Sequence, residues 1–160
     1  MTLMNKLLIP LVLSLTVLLS SCIIAKPKVL GSMSGYPRTE AIRIPKQMLR
    51  IAGRAADDES GLLRNLNSLE VITCEDRRSM PILDSEFERI VNERGLELLV
   101  SSTDSLESVD IYAEMNSKNT VIKELLIRDR ERKEQNFIYL KGKFDLGKLL
   151  ESDPKSLTRF

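Results

Sequence analysis

The sequence predicts an α+β domain of two layers. Two helices pack on a largely antiparallel five-stranded sheet, in the order α-β-α-β-β-β-β-α. Three observations predict it. Apolar residues recur at helical spacing in IPKQMLRIAGRAA and again in MPILDSEFERIVNERG. ESVDIYAEM alternates apolar and polar residues with period two. The last four strand-like segments follow one another with links too short for a crossover helix, so they form an antiparallel meander.

In the first helix Ile44, Met48, Ile51, Ala52 and Ala55 fall on one face, and Pro45 suits the first turn, where its missing N–H costs nothing. DDESG closes that segment, and LLRNLN reads as an irregular connection. SLEVITCE is rich in β-formers with apolar residues on both faces, the mark of an inner strand. In the second helix Leu83, Phe87, Ile90, Val91 and Arg94 repeat at helical spacing, and Gly95 is placed to end it. Strands follow over 96–102, 107–115, 120–128 and 135–142. In the second of these, Val109, Ile111, Ala113 and Met115 share one face, and Ser108, Asp110, Tyr112 and Glu114 the other. NSKN is a turn. DLGKLLES reads as a closing short helix with Asp145 as N-cap, and residues 153–160 as a loose tail. Phe87, Ile90, Ile111, Leu125 and Leu140 are expected in the core.

The domain itself is expected over residues 44–152. Residues 22–43, punctuated by Lys, Pro, Gly and Ser, read as a flexible tether with room for a short strand near Ala41 to Ile44. Ahead of it, MTLMNK carries one cation and LLIPLVLSLTVLL carries none. Thirteen helical residues cover roughly 20 Å, short of the roughly 30 Å bilayer core. A charged start, a short apolar middle and small residues at its end describe a signal peptide over 1–21. The run Leu19, Ser20, Ser21, Cys22 resembles the lipobox of bacterial lipoproteins. That resemblance implies lipidation at Cys22, cleavage before it, and membrane anchoring through acyl chains, each buried CH₂ contributing about 0.8 kcal/mol. The competing reading is an uncleaved helical anchor, because IIA extends the apolar run past Cys22.

Composition excludes much. Cleavage leaves 139 of the 160 residues, enough for one domain with a real core. Residues 1–21 hold one lysine and no acid, so the remainder balances 23 basic against 23 acidic side chains. Neither that balance nor export favours nucleic acid as a partner. The chain has no histidine, which rules out Ser-His-Asp and Cys-His catalysis and His-ligated metals. With Cys22 lipidated, Cys74 stands alone and reads as a small buried hydrophobe. No phosphate loop or metal-ligand spacing is present, so no cofactor or metal is expected.

Carboxylates remain as candidates for acid–base work: Glu75 and Asp76 after the inner strand, Asp84 and Glu88 on the second helix. No spacing separates them from the other acids, and solvated surface charge is the simpler reading. RDRERKE, residues 128–134, reads as a solubilising hairpin tip and edge protector rather than as a lipid-headgroup or partner site, because its mixed signs cancel at a distance. Tyr112, on the polar face of its strand, is the aromatic best placed to anchor a partner. Two function classes follow. One is a non-catalytic lipoprotein that binds a protein or envelope component; the other is a carboxylate-based hydrolase of the cell envelope.

The order IPKQMLRIA, LNSLEVITCED, LELLVSSTDSLESVDIYAEM, VIKELLIRDRE and FIYLKGKFDLGKLLE, over about residues 40–152, is similar to the domain-of-unknown-function 4252 family of small exported Bacteroidota proteins. The resemblance implies a lipoprotein signal, no assigned catalytic residues, and a link to envelope-stress signalling. Ile23, Ile24, Ala25 and Lys26 follow the cysteine where surface-exported lipoproteins of that phylum carry acids. That departure implies a periplasm-facing site, on the outer membrane.

Overall fold

The structure, a computed structural model, describes residues 26–55 and 62–145. The expected signal segment, Cys22, DDESG, the expected closing helix and the expected tail lie outside the described residues. Among those described, the fold is α+β with a single antiparallel sheet.

The sheet has six strands where five were expected. The strands are β1 (Thr39–Pro45), β2 (Leu66–Cys74), β3 (Glu97–Thr103), β4 (Ser108–Met115), β5 (Val121–Arg130) and β6 (Gln135–Asp145), in spatial order β1-β2-β6-β5-β4-β3. The extra strand is β1, in a stretch where the sequence left room for only a short one; Ile42 and Ile44 pair there with Val71 and Leu69. The four-strand meander is as expected. Asp145 belongs to β6, so it ends a strand where a helix cap was expected. The helices are α1 (Lys46–Ala55), the single turn α2 (Leu62–Asn65), which replaces an irregular connection, and α3 (Met80–Arg94).

The two long helices do not share a layer. Period-two alternation along β5 and β6 makes two apolar faces rather than one. Leu125, Ile127, Ile138 and Leu140 join Leu69, Ile111 and Leu49 of α1. On the other face Leu126, Phe137, Tyr139 and Ile72 join Leu83, Phe87, Ile90 and Val91 of α3. The five expected core residues are all buried, but Phe87 and Ile90 lie on one side of the sheet and Ile111, Leu125 and Leu140 on the other. A two-layer scheme fails because the central strands are apolar on both faces and each face needs its own cover.

Local signals explain the ends of α3. Asp76 Oδ2 accepts hydrogen bonds from the Ser79 hydroxyl (2.7 Å) and amide (3.2 Å), starting the helix. Gly95 stops it at φ 64°, ψ 37°, and Leu96 N–H returns to Val91 O at 3.0 Å. In β6 a side chain at Gly142 would place its Cβ 2.5 Å from Asn65 O, so glycine is required where α2 enters β2.

The folded unit begins well before residue 44. Leu30 and Met33 are fully buried against the α3 face. Glu70, on β2 and 1 % exposed, accepts the backbone N–H groups of Lys28 (2.8 Å), Val29 (2.9 Å) and Leu30 (2.9 Å). Residues 28–43, assigned to a tether from their composition, therefore form a strap and an edge strand. Glu70→Gln leaves one acceptor oxygen where three amides converge. It is expected to cost about 1–2 kcal/mol and to raise hydrogen exchange at Val29 and Leu30; unchanged exchange there contradicts the clamp.

Candidate functional site

A partly buried charged cluster lies between α3 and the sheet. Asp84 and Glu88 are one turn apart on α3 and so share a face. Below them, Asp110 of β4 stands directly across from Arg128 of β5. The Arg128 side chain is 7 % exposed. Its Nη1 donates to Glu88 (2.7 Å) and Asp84 (3.3 Å), and its Nη2 to Asp110 (2.9 Å). The guanidinium carbon sits 4.4 Å from the centroid of the Phe87 ring. Arg130 Nη2 and Gln135 Nε2 also donate to Asp84, at 3.1 and 2.7 Å.

Burial raises the Asp110 carboxyl, but the Ser101 hydroxyl and the Arg128 guanidinium outweigh it and hold the group below the usual carboxylate value. Burial likewise opposes the charge on Arg128, and its bonds to Asp110 and Glu88 prevail and raise its pKa. A second cluster repeats the pattern. Arg94, at the end of α3, grips Glu124 of β5 through two 2.6 Å bonds and reaches Tyr139 at 3.1 Å. Burial raises Glu124, and the bonds from Arg94 and Lys141 outweigh it and lower the group.

Glu75 and Asp76 lie elsewhere, in an open recess of about 610 Å³ lined also by Arg38, Arg77, Arg78, Lys133 and Glu134. Glu75 pairs with Arg38 at 2.8 Å, both largely exposed. The bond from Ser79 holds Asp76 below its ordinary pKa. Thus Asp84 and Glu88 come together around Arg128, while Glu75 and Asp76 serve a surface pair and a helix start.

A catalytic acid needs a carboxyl raised toward neutrality. Every carboxylate with a resolved shift among the described residues is shifted down. No group of acids or cysteine among them is arranged to hold a metal ion. Cys74 is fully buried. Tyr112 is not an open anchor: its ring meets Phe87 edge-on at 5.5 Å beneath α3. RDRERKE is only partly a hairpin tip, because Arg128 and Arg130 belong to β5 and point into the acid cluster.

The model of the family described as Domain of unknown function (DUF4252) matches residues 34–151. The chain belongs to the DUF4252 family. The DUF4252 region begins at Ser34, so it takes in all six strands, the Arg128 and Arg94 clusters and the recess. The Leu30–Met33 part of the strap precedes it. No curated protein and no solved structure matches the chain.

The sequence did not single out Arg128, Glu124 or Glu70. The available signal was positional: each is a charge inside an otherwise apolar strand, in VIKELLIRD or SLEVITC. A charge at such a position must find a partner or leave the core.

Proposed function

We propose that this DUF4252 protein is a lipid-anchored, periplasm-facing protein of a bacterial outer membrane, whose domain binds a protein or envelope component and performs no chemistry of its own. One observation carries the non-catalytic half of the reading. The four acids that sequence puts forward for catalysis are all engaged: Asp84 and Glu88 with Arg128, Glu75 with Arg38, and Asp76 with the start of α3. A substrate would have to displace these partners before any of the four could take part in acid–base chemistry. The anchoring half rests on Leu19-Ser20-Ser21-Cys22 and on a preceding apolar run too short to span a bilayer with ease. No described helix is long and apolar enough to cross a membrane.

Mass spectrometry of the N-terminal peptide from the mature protein is expected to find a diacylglyceryl-modified Cys22. In a deletion strain, at matched protein levels, Cys22→Ala should weaken complementation more than Glu75→Gln, Asp76→Asn, Asp84→Asn or Glu88→Gln. The reading fails if one carboxylate substitution abolishes function in a folded protein while the unanchored domain still works.

A further inference from the structure

α1 turns its apolar stripe away from the protein. The spacing of Met48, Ile51, Ala52 and Ala55 predicts that they face the core, yet all four are exposed, and only Leu49 and Gly53 of this helix are buried. Ile51 is 66 % exposed, and Ile42 on the neighbouring edge strand 45 %. The rotation has a physical cause. α2 crosses at Gly53, where an added Cβ would lie 3.2 Å from Leu63 Cβ and 3.1 Å from Arg64 Cγ, so a side chain here would crowd the close approach of α2. At about 100° per residue, Ile51 then projects opposite the Leu49–Gly53 face.

Beside the stripe runs a row of cations. Lys46, Arg50 and Arg54 recur every fourth residue, all exposed, and none forms a salt bridge among the described residues. The helix contains no acid; Asp57, Asp58 and Glu59 come only after it, outside the described residues. An exposed apolar stripe flanked by a basic row with no salt-bridge partner among the described residues is the chemistry of a helix lying in an anionic lipid interface.

Position strengthens the match. Glu70 clamps the strap at Lys28, and the same carboxylate lies 3.6 Å from Arg43 Nε, three residues before α1. The strap thus leaves the domain at the β1–β2 edge of the sheet, on the α3 face, and α1 starts at the same edge on the other face. From Cys22 to Lys28 is six residue steps, at most about 20 Å of chain. A domain on so short a lead stays against the headgroups.

We propose that α1 seats on the anionic phospholipid surface to which Cys22 is anchored, with Ile51 and Met48 entering the interface and Lys46, Arg50 and Arg54 over the phosphates. This rests on the lipid-anchor reading of Cys22.

The test uses the full lipidated chain in vesicles of phosphatidylcholine, with or without phosphatidylglycerol. An environment-sensitive fluorophore is placed on Ile51→Cys or, as control, on Leu106→Cys. Leu106 is equally exposed (63 %) but lies between β3 and β4, at the opposite edge of the sheet, near Asp104 and Glu107. Brominated lipid is expected to quench the label at 51 several-fold more than that at 106, in phosphatidylglycerol vesicles above all. Added salt, or Lys46→Glu with Arg50→Glu and Arg54→Glu, should abolish the difference. Equal quenching at 51 and 106, with lipid on Cys22 confirmed by mass, overturns the docking and leaves the anchor standing. Unmodified Cys22 in a chain that does not stay with vesicles overturns both. Excimer emission from pyrene at position 51 on neutral vesicles shows that a second copy covers the stripe, and overturns the proposal.

Discussion

Phe87→Ala is expected to lower the unfolding free energy by about 3–5 kcal/mol, the range for removing a buried aromatic side chain from a packed core. That is a large share of the about 5–15 kcal/mol that holds a typical domain together. Phe87 is completely buried. Its ring meets Tyr112 edge-on at 5.5 Å and Phe137 at 5.7 Å, so the cavity opens between α3 and two strands that cannot easily close on it. The ring is also the floor beneath Arg128, 4.4 Å from its guanidinium carbon. Its loss removes packing and a cation–π contact together. Urea unfolding of the protein and the variant measures the difference. An unchanged midpoint and slope would mean that α3 does not present this face to the sheet.

The same residue marks how far the sequence could be read. Helical spacing was enough to put Phe87, Ile90 and Val91 on the buried side of α3, since that helix has one apolar face and one sheet to cover. Gly95 and the alternation of Val109, Ile111 and Ala113 were equally legible, because a left-handed stop and a period of two are local properties. α1 was not. Its apolar stripe and its buried face differ, and the difference is set by α2 crossing at Gly53, a contact that spacing within α1 cannot encode. The strap was missed for a related reason. Lys28 to Leu30 has no periodicity of its own, and what fixes it is a carboxylate 40 residues and more away in sequence. The Arg128 cluster failed to stand out because RDRERKE looks solvated as a string of charges. Only the strand register shows that Arg128 faces α3 while Glu131 to Glu134 form the turn.

Removing Arg128 should expose what that register stores. Arg128→Ala is expected to cost about 2–3 kcal/mol near neutral pH, below the range of about 3–5 kcal/mol for breaking a fully buried pair. The discount reflects partners that keep some water: Glu88 is 48 % and Asp84 32 % exposed, whereas Asp110 is 14 %. Arg130 and Gln135 still reach Asp84, so Asp110 is left worst off, with Arg130 at 3.5 Å as its remaining close cation. The dependence on pH gives the sign. Asp110 has a folded pKa below its unfolded one, so its contribution to stability is present above the unfolded carboxylate value of about 3.9. It fades as pH falls through the folded value. Without Arg128, burial is no longer outweighed to the same degree, the folded value rises, and the variant loses stability at a higher pH than the parent. The gap between the two proteins should therefore be widest near neutrality and narrow in acid, where the carboxylates are protonated in both. Urea titrations across that range measure it. A gap that stays constant with pH would mean that Arg128 acts through its packing on Phe87 rather than through the three carboxylates.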